Sequence, residues 1–297
     1  MRCANLWRGP LSPVSKLRDF VDLQMARRLE AAETMSDEQV AALRRYFPDA
    51  ISEVIGGGTA VFASTGYPAN HIVGMGLYGP VSENDIDCVE HFYRSRCVPC
   101  EIVVSPLADR SLTQLLSERG YRVTEFNSVL IRRLEDCEPF ERADGLSIER
   151  VTRANESAWN ETILRGFAEY GPLPTDLFLP FATLAESLNF LARLDGVPAG
   201  GGMGQIMRDV GIAALFGTAT IPEHCGRGVQ TALIQRRLWE ALQAGCEYAV
   251  VSTLPGSGSQ RNMERRGFRV AYTKVVMVRT WPELEKQERD DGHREHS

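Results

Sequence analysis

Two glycines flank an arginine in the segment PEHCGRGVQTALI, residues 222–234. Glycine costs backbone entropy and weakens a helix start, so Gly226 and Gly228 need a compensating role. The first turn of a helix leaves backbone N–H groups without partners, and the helix dipole places positive potential there. Glycines let an anion approach those N–H groups closely. The pattern therefore predicts an anion site at Gly226–Gly228, with Arg227 as an added cation.

Two common phosphate motifs are absent from this segment. There is no GxxxxGK[ST] sequence, and no GxGxxG followed by an acidic residue at the end of a second strand. The segment is therefore neither a P-loop nor a dinucleotide fingerprint.

Composition limits the classes of protein to which the chain can belong. It has 297 residues, of which 43% are hydrophobic and 24% charged, and this length favours two domains. A net charge of −6 argues against a non-specific partner for nucleic acid or anionic membranes. No apolar run has the length of a membrane helix, and the N-terminal residues lack the apolar region of a signal peptide. We therefore expect a cytoplasmic protein without a membrane partner.

The seven cysteines are scattered, which favours reduced thiols. The one close pair, Cys97 and Cys100 in CVPC, has no second pair at zinc spacing. We interpret this pair as ordinary thiols near a helix-to-strand junction, with redox or metal use as the alternative, and we expect no metal site.

A repeat relates the two halves of the chain. The segments 103–132 and 250–279 align without a gap at a constant offset, with identities that include VVS at their start and RG before their last strand. In each copy a β-branched run predicts a buried strand, followed by a short helix that ends at Gly120 or Gly267 and then an alternating strand. A repeat of this length indicates two copies of one domain rather than a solenoid.

The second copy has further predicted elements upstream. SIERVT predicts a first strand, residues 154–170 and 176–187 predict two helices, and Asp195-Gly196 predicts a hairpin turn. The strand GIAALFGTATIP leads into the glycine segment. Strands that alternate with helices indicate an α/β or α+β fold, with a mixed sheet flanked by helices in each domain.

Domain boundaries follow from composition. We expect a first domain over residues 1–136 that opens with amphipathic helices, an acidic linker at 137–145, a second domain at 146–284 and a charged, disordered tail at 285–297.

The order of strand, TATIPEHCGRGVQTAL, strand YAVVST, helix and RRGFRV resembles the GNAT (N-acetyltransferase) superfamily over about residues 145–281. In that family the loop pattern [QR]-x-x-G-x-[GA] binds the pyrophosphate of acyl-CoA. Gly228 fits the pattern, whereas Cys225 and Gln230 replace its first and last positions. The resemblance implies a set of cofactor-binding residues: Thr218, Ala219, Thr220, Gly226, Arg227, Gly228, Val229, Gln230, Thr231, Ser259 and Asn262.

The first copy departs from the loop pattern, since the offset places Gly79, Pro80 and Val81 at the loop, with Glu83 and Asp85 just after it. Proline removes a donor and the carboxylates repel an anion. We therefore expect a degenerate GNAT-like half that binds no CoA and has a structural role or forms part of the acceptor pocket.

Catalytic groups are missing from the positions where the resemblance implies them. Met263 stands where many members have a tyrosine acid, and Ala214 matches the position of a glutamate base. The catalytic residues are therefore unknown from the sequence. The remaining candidates are Glu223 and His224 beside the loop, Tyr272 on the next strand, and Glu169 or Tyr170 on the first helix.

The resemblance implies an N-acetyltransferase that moves an acetyl or other acyl group from acetyl-CoA to an amine of a small molecule. Two alternatives stay open. One is a non-catalytic acyl-CoA binder, suggested by the missing acid and base, and the other is an acyltransferase with a different donor such as aminoacyl-tRNA, suggested by Cys225.

Overall fold

The structure is a computed structural model that describes residues 21–135, 145–171 and 173–284. The helices of these residues are α1 (Leu23–Glu33), α2 (Asp37–Leu43), α3 (Glu83–Arg94), α4 (Arg110–Glu118), α5 (Glu156–Gly166), α6 (Val229–Gln243) and α7 (Gly258–Glu264). The strands are β1 (Ile51–Ile55), β2 (Gly58–Phe62), β3 (Ile72–Val73), β4 (Cys100–Val104), β5 (Arg122–Arg133), β6 (Leu146–Arg150), β7 (Phe190–Leu194), β8 (Val197–Met207), β9 (Ile212–Thr220), β10 (Tyr248–Thr253) and β11 (Arg269–Arg279). The predicted linker at 137–145, except for its last residue, and the predicted tail at 285–297 lie outside the described residues.

All the strands join one mixed sheet in the order β1-β2-β3-β4-β11-β5-β10-β9-β8-β7-β6. Each half contains one parallel pair, β3 with β4 and β9 with β10. The last strand of each half crosses toward the other: β5 pairs with β10, and β11 pairs with β4, all antiparallel. The two strands also pair with each other at the centre.

The fold class and the repeat are confirmed, with one difference from the expectation. We expected a separate sheet in each domain, but β5 and β11 interleave and merge the two into one sheet. Within its own half, each of β4 and β10 has one edge without a partner strand. A strand from the other half pairs with that edge and satisfies its backbone hydrogen-bonding groups.

Helices cover both faces of the sheet. On one face, α1, α2 and α5 pack over two apolar clusters that contain Leu29, Trp159 and Val250. On the other, α6 and α7 pack over the C-terminal half, and α3 and α4 over the N-terminal half. The molecule therefore has three layers.

Glycines on β8 allow helices to approach the sheet closely. A Cβ on Gly201 would lie 2.5 Å from Cγ1 of Ile163 on α5, and one on Gly200 would lie 2.7 Å from Cγ1 of Val229, the first residue of α6. The backbone of β8 therefore fixes where α6 begins.

The predicted helix at 176–187 is wrong. Only Leu179–Phe181 form a short 3-10 turn there. Pro180 lacks an N–H, and the side-chain amide of Asn189 donates to the carbonyls of Phe181 and Ala182 at 2.6 and 3.2 Å, which takes acceptors that a helix would use. The apolar residues instead pack around Trp159. The hairpin turn is confirmed, with Asp195 and Gly196 at φ 54° and 82°.

Candidate active site

The segment Gly226–Gly228 forms an open helix N-terminus. Gly228 is the N-cap of α6, at φ 81°, and no side chain caps the helix there. Gly226 is also left-handed, at φ 77°, a conformation that favours glycine. A Cβ on either residue would meet nothing within 4 Å, so the space in front of the helix is unobstructed. The first N–H groups of α6 are therefore available to an anion.

The equivalent helix of the N-terminal half, α3, is closed. The Ser82 hydroxyl accepts from the backbone N–H of Asp85, and the Asp85 carboxylate accepts from the backbone N–H of Ser82 at 2.8 Å. Glu83 adds a second carboxylate in this first turn. A side-chain anion thus occupies the position that a phosphate would take.

Strands β9 and β10 pair only at their beginnings. Their parallel register runs from Ile212 with Tyr248 to Ala214 with Val250 and then stops. Beyond that point β9 stays on β8 as far as Thr220, and β10 stays on β5 as far as Thr253, so a gap opens between them. Thr218, Ala219 and Thr220 lie on the strand that borders this gap.

Two side-chain contacts join α7 and its C-terminal loop to the first turn of α6. The Asn262 amide donates to the Gln230 side chain at 2.5 Å, which brings together two of the predicted cofactor-binding residues. Arg266 donates to the Thr231 hydroxyl at 3.2 Å. Ser259 is exposed on α7. Most of the predicted set therefore surrounds one helix terminus.

Arg227 lies at the same mouth but is exposed. It makes an ion pair of 3.4 Å with Asp195 in the hairpin turn, and about half of its side chain contacts solvent. An exposed pair of this kind contributes little to stability, so Arg227 can turn to another anion at small cost.

Arg266 and its repeat partner Arg119 have different surroundings. Arg119 makes ion pairs with Asp87 at 2.6 Å and Glu90 at 3.4 Å, both on α3. No ion pair of Arg266 is found within the described residues. The sequence analysis did not select Arg266, although its identity with Arg119 in the repeat was a signal that could have found it.

A cavity of about 330 Å³ lies between the two halves and is called here the interdomain cavity. The C-terminal half contributes residues at the point where β9 and β10 separate, such as Ala214, Phe216 and Val250. The N-terminal half contributes α1, α2, β2, β3 and the loop before β3. The cavity therefore reaches the gap between the strands from the side opposite to the glycine loop. For the N-terminal half, the sequence analysis expected either a structural role or a part in the acceptor pocket. The residues that this half contributes to the cavity are consistent with the second expectation.

The catalytic candidates from the sequence differ in their surroundings. Glu223 is exposed and pairs with Arg165 at 3.5 Å, while Nδ1 of His224 is buried without a hydrogen-bond partner among the described residues. Tyr272 is buried and donates to Glu30 at 2.7 Å, and burial raises its pKa. Glu169 and Tyr170 were expected on the first helix, but they lie in a 3-10 turn after α5 ends. Among the described side chains, the lining of the interdomain cavity does not include Glu169, Glu223, His224 or Tyr272.

The two positions implied by the family resemblance have no ionisable group. Met263 is buried in the apolar cluster beneath α6 and α7. Ala214 lines the interdomain cavity, and Glu33 from α1 lines the same cavity.

A polar cluster connects α1 to β10 and β11; Glu30 and Lys274 are buried in it, Glu33 is partly buried and Ser252 is exposed. The Ser252 hydroxyl donates to Glu33 at 2.7 Å, and Lys274 contacts both Glu33 and Glu30, the latter at 3.4 Å. Burial raises the pKa of Glu30, against the pull of Lys274. Burial acts to lower the pKa of Lys274, but the two carboxylates outweigh this effect and raise it.

His71, just before β3, also lines the interdomain cavity. Removal from water lowers the pKa of His71, and the charge of Lys274 acts in the same direction, whereas Glu33 and the backbone carbonyl of Pro68 raise it; the net result is a pKa of about 4. The imidazole is therefore neutral at physiological pH. Neither His71 nor Glu33 carried a local sequence signal, because each becomes significant only through contacts with distant segments.

The described residues contain no group of three or more His, Cys, Asp or Glu side chains suited to hold a metal ion. Within the same part of the chain, no helix has both the length and the hydropathy needed to cross a membrane. Cys97 and Cys100 are free thiols at the junction of α3 and β4, as the sequence analysis placed them, and burial raises the pKa of Cys100 to about 12.

Comparison with known proteins gives matches in sequence and in structure. The model of the acetyltransferase (GNAT) family matches residues 151–268. A GCN5-related N-acetyltransferase from Kribbella flavida has a TM-score of 0.64 at 19% identity, covering 88% of this chain and 98% of its own. A tandem GNAT protein from the clavulanic acid biosynthesis pathway has a TM-score of 0.60 at 14% identity, covering 86% and 93%. No curated protein sequence matches the chain.

Proposed function

Residues 151–268 form a GNAT acetyltransferase domain, and on this premise we propose that the protein transfers an acetyl group from acetyl-CoA to an amine of a small molecule. The interdomain cavity is the acceptor site in this proposal. The acyl donor approaches from the opposite side, through the gap between β9 and β10.

The observation that carries the proposal is the difference between the two related helix termini. The N-terminus of α6 is uncapped and open, whereas Ser82 and Asp85 close that of α3. We propose that the pyrophosphate of CoA lies against Gly226–Thr231, with Arg227 and Arg266 as its cations. The pantetheine then follows Thr218–Thr220, with Ser259 and Asn262 on its other side.

Titration calorimetry with acetyl-CoA tests this assignment. We expect one site per chain. Gly228→Glu should abolish binding, because the side chain would block the approach to the α6 backbone and place a negative charge against the pyrophosphate. Two equivalent sites, or none, would contradict the proposal.

Gly245→Glu is the matched control. Gly245 follows the opposite end of α6, is left-handed at φ 82°, and has open space around its Cβ position. Both variants therefore carry the same backbone strain and the same added charge. Loss of acetyl-CoA binding in both would show that strain, and not the anion site, is responsible.

A non-catalytic acyl-CoA binder is the second candidate, favoured by Met263 and Ala214 at the implied acid and base positions. Turnover of acetyl-CoA with a panel of amines distinguishes the two, since a pure binder would bind CoA and form no amide. Salt-sensitive binding of aminoacyl-tRNA, with no binding of acetyl-CoA, would instead favour a different donor.

A further inference from the structure

We propose that the proton-transfer site of this enzyme lies in its N-terminal half, at His71 and Glu33, and that it serves a hydrophobic amine that carries no acidic group. The inference rests on the proposed acetyl transfer and identifies which residues act and which class of acceptor fits. In this arrangement the half that has lost its anion site still takes part in the chemistry.

The first argument is position. The interdomain cavity and a neighbouring polar cavity of about 410 Å³ share five lining residues, and three of these, His71, Glu33 and Ser252, have polar side chains. Ser252 lies on β10, just beyond Val250, where β9 and β10 separate. The group transferred by an acyl donor in that gap would therefore arrive beside His71 and Glu33.

The second argument is the charge of the two cavities. Among the described residues, Glu33 is the only Asp, Glu, Lys or Arg that lines the interdomain cavity, whose other walls are mostly apolar. The polar cavity adds Glu101, Glu125 and Lys274, and Lys274 already pairs with Glu30 and Glu33. In the part of the chain that the structure describes, neither lining therefore has an unpaired cation to bind a carboxylate or phosphate of the acceptor. An amine is attracted to this site, and an acidic group on the same molecule is repelled.

The third argument is the apolar volume. Side chains such as Tyr67, Phe178 and Phe181 line the interdomain cavity. Burial of apolar surface contributes roughly 25 cal/mol per Å², so an aryl or alkyl body gains binding energy there. A sugar or another polyhydroxylated acceptor would lose hydrogen bonds to water without replacement.

The step balances with His71 as the carrier of one proton. The lone pair of the neutral amine attacks the thioester carbon, the C–N bond forms, and the C–S bond breaks with its electron pair going to sulfur. The proton on nitrogen passes to His71, and the imidazolium then gives it to the thiolate. The products are an N-acetylated amine and CoA with a thiol, and His71 returns to its neutral form. Glu33 accepts a hydrogen bond from the amine and positions it.

The electrostatic surroundings suit this role. Glu33 from α1, Lys274 from β11, Glu101 from β4 and Glu125 from β5 line the same polar cavity as His71. Since the pKa of His71 is lowered to about 4, its imidazolium is acidic enough to protonate a thiolate, whose conjugate thiol has a pKa of about 8.5. An amide nitrogen is a far weaker base than an amine, so even this weakly basic imidazole can take the proton as the C–N bond forms. One group can therefore replace both the missing base and the missing acid.

Steady-state kinetics on the full chain test His71. We expect His71→Gln to lower kcat by about 10²–10⁴-fold, the usual range for general acid–base catalysis, with the Kd of acetyl-CoA unchanged within about twofold. Added imidazole should partly restore the activity of His71→Ala. The matched control is His91→Gln, which changes an exposed histidine on α3 and should keep the wild-type kcat.

Measurement of acetyl-CoA affinity distinguishes a failure of the proposed function from a failure of the role proposed for His71. Wild-type protein that binds no acetyl-CoA would refute the proposed function itself. A His71→Gln variant that binds acetyl-CoA and keeps kcat within about threefold would overturn the role of His71. If that variant loses acetyl-CoA affinity as well, absence of imidazole rescue in a folded His71→Ala variant would overturn it.

Three amines with the same aromatic body test the acceptor class. Phenethylamine should be acetylated with a kcat/KM at least about 100-fold above that of phenylalanine, which differs by its carboxylate. Phenylalanine methyl ester, in which the carboxylate is masked, should recover most of that difference. Equal or faster acetylation of phenylalanine would overturn the acceptor class, and so would the absence of product from all three amines with acetyl-CoA bound.

Discussion

Arg119 and Arg266 occupy the same position in the repeat, yet only one of them is left to bind an external anion. Carboxylates of α3 neutralise Arg119, while the side chain of Arg266 hydrogen-bonds, among the described residues, to a hydroxyl at the first turn of α6 and forms no ion pair there. An arginine near a helix N-terminus is a strong phosphate ligand, because a charge-assisted hydrogen bond adds to the helix dipole. The neighbours of a residue, more than its type, thus distinguish the proposed cofactor site from its counterpart in the other half.

We predict that Arg266→Gln raises the Kd of acetyl-CoA by about 10–100-fold, the loss of one charge-assisted contact of roughly 1.5–3 kcal/mol. The dependence of binding on salt concentration should also weaken. Calorimetry at two salt concentrations measures both effects. Arg265→Gln, the adjacent exposed arginine, is the control and should bind as the wild type does. Equal losses in the two variants would indicate general electrostatics instead of a specific contact.

At the level of secondary-structure elements, the two similar halves differ at the N-termini of their helices α3 and α6. Helices α3 and α6 each connect the two strands of the parallel pair in their half, but the side chains of α3 and its N-cap satisfy the first turn of that helix. These caps stabilise α3 and also occupy the backbone N–H groups that an anion would need. The N-terminus of α6, which has no side-chain cap, lacks this stabilisation.

Ser82→Ala should lower the free energy of unfolding by about 1 kcal/mol, since it removes the cap of α3. Acetyl-CoA affinity should be unaffected, because that site lies on α6. Urea unfolding and calorimetry on the same protein measure the two quantities. Ser117→Ala, on the exposed surface of α4, is the matched control and should change stability by less than about 0.5 kcal/mol. A weaker affinity for acetyl-CoA in Ser82→Ala would contradict the separation of the two termini.

Local sequence was sufficient to predict most of the elements. Alternation predicted β5 and β11, the Asp195-Gly196 turn predicted the hairpin, and glycine spacing predicted the loop before α6. The helix predicted at 176–187 failed because Asn189, outside that segment, captures the carbonyls of Phe181 and Ala182. A local sequence pattern does not show that a side chain from outside the segment will bind its backbone carbonyls.

In the whole molecule, the two halves are joined by ion pairs between side chains as well as by their shared sheet. Glu30 and Glu33 on α1 contact Lys274 on β11 in a region that is almost fully buried. The sequence could not predict this cluster, or the meeting of Glu33, His71 and Ser252, since each needs residues about 180 or more positions apart in the chain to come together. It predicted two related domains but not that their last strands interleave.

We predict that Lys274→Met destabilises the protein by about 3–5 kcal/mol, because two carboxylates remain buried without a counter-charge. Adding Glu30→Gln to this variant removes one of those charges and should restore part of the loss. Chemical unfolding of the wild type and both variants measures the difference. Lack of any recovery in the double variant would show that packing, not charge, accounts for the effect.

The same cluster predicts a dependence on alkaline pH. The folded-state pKa of Lys274 is raised above its ordinary value of 10.5. Its stabilising contribution is therefore complete below that pH and is lost as the pH rises through the folded-state value. Lys274→Met should lose less stability than the wild type over this alkaline range. Parallel pH profiles of the two proteins would contradict this assignment.

The interleaving of β5 and β11 also has a consequence during protein synthesis. Strand β5 leaves the ribosome early, but one of its two neighbours, β11, is made only after roughly 145 more residues, which at typical translation rates takes about 7–30 s. Until β10 is made, β5 has neither of its neighbours in the sheet, and β4 keeps one unpaired edge until β11 is made. The sheet of the nascent N-terminal half is therefore incomplete until β11 has been synthesised, and we expect this half to bind a ribosome-associated chaperone during that interval.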